Sequence, residues 1–230
     1  MLPISIGISR CLSGDLVRYD GKGKYSSNCC VELNQTFELF RVCPEVEAGL
    51  TVPRAPVELI QFPHSIRVLG KSNQNIDVTQ TLNEFCIEKV PSLGSISGFV
   101  FTPGSPSCGL NSAPIKSIDG TLIGSTSGLF AQSLVQAFPY LPVIEEPELS
   151  YKQVRQYFKL QVICYYLIQT NKTSDIGLFN AETPAVLCIV LNSDQSNGRK
   201  MVSINALLDD MTDDQLQKQL DQLMDMFNDQ

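Results

Sequence analysis

The sequence predicts an α/β fold, a largely parallel sheet flanked by helices, with a small C-terminal α+β appendage. Two observations carry this. Short, mostly apolar runs of strand length alternate with longer stretches of helical periodicity, as in a sheet covered by helices. Three of those runs also end in the same way, at a turn-rich loop bearing a cysteine, where open α/β sheets gather their ligands.

The first run, "ISIGIS" at 4–9, reads as a buried strand that ends at Arg10 and Cys11 and opens into "SGDLVRYDGKGKYSS". In "TFELFRVCPE" a strand from Phe37 to Val42 ends at Cys43, Pro44 and Glu45. In "ISGFVFTPGSPSCG" a strand from Ile96 to Phe101 runs into the loop that holds Cys108. Between them, "DVTQTLNEFCIEKV" predicts a helix with Thr79 as N-cap and Leu82, Phe85 and Val90 among its apolar positions. A second helix, "SGLFAQSLVQAF" at 127–138, is closed by Pro139, and "LPVIEE" follows as a strand. The long helical segment at 151–171 completes a first domain, 1–171. In the remainder, 172–230, "AVLCIVL" and "KMVSINAL" flank "NSDQSNG" in the manner of a β-hairpin, and a final helix carries Leu216, Leu220, Leu223 and Phe227 along one face. That stripe has to be covered by the chain's own domain or by a second subunit, so self-association through this helix is one expectation. A chain ending near Thr170 is expected to keep the site.

Composition sets further bounds. At 230 residues the chain can bury a core without staples, so its eight cysteines are not required as a disulfide framework. The N-terminus lacks a basic segment followed by a long apolar stretch, and runs such as "AVLCIVL" fall far short of the roughly 20 residues that span a bilayer. The expectation is a cytoplasmic protein without membrane contact. Of the net charge of −7, most lies after Ala206, where seven Asp face one Lys. That tail repels phosphate, which makes RNA a poor partner for it. Around the first cysteine Arg10, Arg18, Lys22 and Lys24 outnumber Asp15 and Asp20, a balance that suits a small polar or anionic ligand.

Cys11, Cys43 and Cys108 occupy equivalent places in the predicted fold, so their sulfurs could meet at one point. No CxxC pair argues for zinc, and three soft thiolates without a fourth suit an iron–sulfur cluster with one iron left open. From spacing alone, three cysteines packed as small hydrophobes remain the alternative. Cys29 and Cys30 are adjacent, a poor geometry for one metal, and Cys86, Cys164 and Cys188 fall in apolar runs as core fillers. His64, the only histidine, follows "QFP" in a loop, and nothing in its spacing pairs it with Cys108 for a cysteine hydrolase. "GKGK" at 21–24 lacks the layout of a phosphate-binding loop.

Three motifs together, "CLSGDLVRYDG", "VCPEVEAGLTVPRAP" and "SPSCGL", resemble the bacterial thiouracil desulfidase family, and "GLFAQSLVQAFPYLPVIEE" is similar to that family's later helix and strand. The resemblance covers roughly residues 3–170. It implies a four-iron four-sulfur (4Fe-4S) cluster held by Cys11, Cys43 and Cys108, with one open iron that takes the sulfur of a thiopyrimidine such as 4-thiouracil, releasing uracil and sulfide. Within that frame Glu45 could shuttle protons, and Ser105 or Ser107 could donate a hydrogen bond beside the third cysteine. Arg18, Tyr19 and Asp20 could read the pyrimidine, although "VRYDG" is equally a plain turn, and Arg54 is either a substrate clamp or an ion-pair partner. Free base, nucleoside and thiolated tRNA stay open as substrates. A non-catalytic iron–sulfur or thiol sensor is the alternative reading of the same cysteines.

Overall fold

The computed structural model describes residues 4–170, 190 and 196–228. Its first sheet is parallel throughout, in the order β2-β1-β5-β8, with β1 at Ser5–Ser9, β2 at Glu38–Val42, β5 at Phe99–Phe101 and β8 at Val143–Glu145. β1 and β5 carry no charged residue because they lie inside the sheet and are buried on both faces. Ile6, Ile8 and Val100 face one way, toward α4 (Lys152–Thr170). Phe99 and Phe101 face the other way, against Phe130 of α3 (Leu129–Ala137) and against Cys86 and Val90 of α2 (Thr79–Ser92). Phe99, Phe101 and Phe130 pack as an aromatic cluster with ring centroids 4.4–6.3 Å apart.

A second sheet, in the order β4-β3-β6-β7, was not anticipated from the sequence. β3 (Val57–Phe62) and β4 (Ser65–Gly70) form an antiparallel hairpin turning at Pro63 and His64, β6 (Ala113–Ser117) joins β3 in parallel, and β7 (Leu122–Thr126) closes the edge. Leu59, Val68 and Ile115 of this sheet pack on Val78 and Leu82, so α2 is apolar on the sides it turns to both sheets. Thr79 is the first residue of α2 rather than its cap. Val78 holds the capping position, while Asp77 Oδ1 accepts the Thr79 N–H at 2.9 Å and Thr79 Oγ1 accepts the Val68 N–H at 2.8 Å. The threonine thereby fastens α2 to β4.

The hairpin expected in the C-terminal part is corrected by the structure. "KMVSINAL" lies within α5 (Asn197–Asp209), followed by α6 (Asp213–Asn228). Of "AVLCIVL" only Val190 is described, and Cys188 and the Phe227 side chain lie outside the described residues. Met201, Ile204 and Leu208 recur at helical spacing and are buried with Leu216, Leu220 and Leu223 in one cluster with residues of α4. Tyr157 and Gln161 of α4 add hydrogen bonds to Asp209 (2.9 Å) and Asn205 (2.8 Å) of α5. The apolar stripe of the last helix is thus covered within the chain. Ending the chain after Thr170 removes none of the described strands but strips α4 of this cover, in which each buried leucine contributes about 1.5–3 kcal/mol. The expected outcome is a lowered Tm and association between chains with the site still formed, read by thermal unfolding and size-exclusion chromatography. No helix among the described residues is long and apolar enough to cross a membrane.

Candidate active site

The order of the first sheet brings the three cysteines together. β2, β1 and β5 are neighbours, and all run in the same direction, so the segments after Val42, Ser9 and Phe101 leave the same edge. Cys11 sits in the 3-10 turn Arg10–Ser13, and its carbonyl accepts the N–H groups of Gly14 (3.1 Å) and Lys24 (2.8 Å), which folds the following loop back over the turn. Cys43 caps α1 (Pro44–Glu47), its N–H donating to Glu47 Oε1 at 2.8 Å. Cys108 lies in a loop whose shape is set by Ser105, whose Oγ accepts the N–H groups of Ser107 (3.2 Å) and Cys108 (3.1 Å). On its far side Glu145 Oε1 accepts the Leu110 N–H at 2.7 Å. The same loop rests on the start of α3, where Leu129 and Phe130 donate to the Pro106 and Ser107 carbonyls at 3.1 and 3.0 Å.

That contact needs a glycine. A Cβ on Gly128 would stand 2.5 Å from the Ser107 carbonyl carbon, closer than such atoms approach. Gly128→Ala is therefore expected to push the cysteine loop off α3, at a cost of about 1–3 kcal/mol as in other overpacked sites. A lowered Tm together with weakened iron retention is the outcome to look for; unchanged values would show that the loop adapts without moving Cys108.

Cys11, Cys43 and Cys108 are each more than nine-tenths buried and line one cavity of about 510 Å³ between the two sheets, within the range of small-molecule sites. Burial pushes all three thiols up, and the charges of Cys11 and Cys43 push Cys108 further in the same direction. Among the described residues no group of His, Cys, Asp or Glu is arranged to hold a single metal ion. A cluster makes a different demand, since each thiolate binds its own iron and the sulfurs need not converge on one point. Three buried sulfurs with raised pKa values, facing a shared cavity, fit a cluster whose positive irons would reverse that shift.

The other expected residues divide. Glu45 Oε2 receives both Nε (2.8 Å) and Nη2 (2.6 Å) of Arg54, and Oε1 receives Ser107 Oγ at 3.0 Å. Arg54 Nη1 binds the Val17 and Thr51 carbonyls at 3.1 and 3.2 Å, so one N–H of the guanidinium is left for anything else. Glu45, Arg54, Ser105, Arg18 and Tyr19 line the cavity; Ser107 and Asp20 do not. Ser107 lies behind Glu45, and Asp20 is exposed, accepting the Lys22 N–H at 3.1 Å in a local turn. His64 is exposed at the tip of the β3–β4 hairpin, outside the cavity wall. Cys29 is fully buried in the turn Asn28–Leu33, and Cys86 and Cys164 are core residues away from the wall.

Residues that the sequence did not single out complete the wall. Glu58 and Lys116 come from the second sheet, joined by a 2.7 Å ion pair, Lys71 follows directly after β4, and Ser9 and Thr102 come from the strand ends. The signal for Ser9 was its place two residues before Cys11; the ion pair had none, because it depends on β3 pairing with β6.

The sequence model of the family described as 2-thiouracil desulfurase matches residues 6–146. The chain belongs to that family. The match begins within β1, takes in the other described strands of this 2-thiouracil desulfurase-family fold and ends before α4. Among solved structures it is similar to a 4Fe-4S-dependent thiouracil desulfidase, TudS, at 28% identity and a TM-score of 0.50, with 64% of this chain and 93% of that chain covered. No curated protein matches.

Proposed function

We propose that this protein removes sulfur from a thiolated pyrimidine such as 4-thiouracil, giving uracil and sulfide, at a 4Fe-4S cluster held by Cys11, Cys43 and Cys108. The observation that carries the reading is the meeting of these three cysteines on one cavity wall with a carboxylate fixed by two partners. Membership in the desulfurase family and the name of the similar structure support it.

Cys11, Cys43 and Cys108 would hold the cluster, which would supply a thiophilic Lewis acid for the thiocarbonyl sulfur of the substrate. The chain's own residues do the rest. Glu45, held by Arg54 and Ser107, takes the proton of the water that adds to carbon and passes it to the departing side of the substrate. Ser105 Oγ accepts two backbone N–H groups and keeps its own proton for the substrate. Arg18 and Tyr19, stacked with the guanidinium carbon 5.9 Å from the ring centroid, orient the pyrimidine at the mouth. Val17, Val42, Pro44, Pro106 and Leu122 give the cavity an apolar lining that limits water to the reacting molecule.

The test is anaerobic incubation of cluster-loaded protein with 4-thiouracil and 2-thiouracil, following loss of the thione absorbance together with uracil and sulfide. Equal amounts of uracil and sulfide are expected. Loaded protein that releases no sulfide from any thiopyrimidine would favour the sensor reading instead.

A further inference from the structure

Two buried hydroxyls at the strand ends have protons that the fold does not use. Ser9, the last residue of β1, is 1% exposed, and its Oγ accepts the Thr102 N–H at 3.0 Å, which leaves its own O–H free to donate. Thr102, directly after β5, is 6% exposed, and its Oγ1 is buried without a hydrogen-bond partner. An orphaned buried hydroxyl is rare enough to need a reason. Both residues line the cavity beside Cys11 and Cys108.

We propose that Ser9 and Thr102 are positioning residues for the cluster, donating their O–H groups to the cysteine sulfurs on the same cavity wall once these are iron-bound thiolates. The inference rests on the cluster reading above. A thiolate is a far better acceptor than a thiol, so the Thr102 hydroxyl gains its partner only in the loaded protein. Donation to a ligand sulfur favours the more negative, reduced state of a cluster and so raises its reduction potential. It also fixes the sulfur's orientation, as outer-shell partners do for metal ligands generally.

Thr102→Val removes one hydroxyl at nearly constant shape, and Ser9→Ala removes the other. After anaerobic reconstitution, an EPR-monitored redox titration and the rate of iron loss to a chelator are measured for each variant and for the full-length wild-type chain. Each variant is expected to shift the midpoint potential negative and to lose iron about tenfold faster, the lower end for outer-shell partners. Thr102→Ser should restore both. A lowered Tm with unshifted potential in both variants would assign the hydroxyls to the fold alone and overturn the proposal. Failure of the wild-type chain to take up iron would overturn the cluster reading and this proposal with it.

Discussion

Replacing Cys11, Cys43 or Cys108 singly by serine is expected to abolish cluster retention and, with it, sulfide release. A hydroxyl is a hard, weakly acidic ligand where iron in a cluster takes soft thiolate, and among the described residues no fourth cysteine lines the cavity to substitute. All three residues sit on loops and turns at the sheet edge rather than in the middle of a strand, so the change falls on the ligand set and leaves the strands' pairing in place. Cys29→Ala and Cys86→Ala supply the contrast. Both residues are buried in the core and off the cavity wall, so these variants lose packing, and some Tm, while keeping their iron. Iron content and Tm measured on all five variants separate the two classes. Iron retained in the first set, or lost throughout the second, contradicts the ligand assignment.

Glu45→Gln is expected to lower kcat by about 10²–10⁴-fold with the cluster intact, the range for loss of a general acid or base. The amide is nearly isosteric: its oxygen can still accept from Arg54, and Ser107, a donor to Glu45 in the native chain, can turn to accept the NH₂ group. Position survives, but the side chain can no longer take a proton. The check is iron content, which stays at the wild-type value, alongside kcat, which falls. A wild-type kcat in the loaded variant would reduce Glu45 to a partner that orders Arg54.

The cysteine-bearing edge was legible in the sequence because "ISIGIS" and "FVF", short runs of strand-forming and small residues without charge, each give way abruptly to turn residues. The second sheet was not. Its hairpin turns at Pro63–His64, without the Asn-Gly or Asp-Gly signal, β6 carries Pro114, which argues against a strand, and β7 is exposed along most of its length. The wall that this sheet and the flanking Lys71 contribute, with Glu58 and Lys116, was hidden with it. In the C-terminal part, Asn197-Gly198 and the β-branched residues nearby suggested a hairpin, whereas Met201, Ile204 and Leu208 make an equally good helical stripe. A short apolar segment supports either pattern, and packing on α4 decides between them. Glu45 was recognisable from its place after Cys43-Pro44, but its locking by Arg54 and Ser107 depends on three segments meeting in space.

The most direct test of the central claim is a reconstitution series under anaerobic conditions, in which iron, acid-labile sulfide and the rate of sulfide release from 4-thiouracil are measured on the same samples. The rate should rise in proportion to cluster content, levelling at about four irons per chain, and vanish in the iron-free protein. Full activity in protein stripped of iron would contradict it.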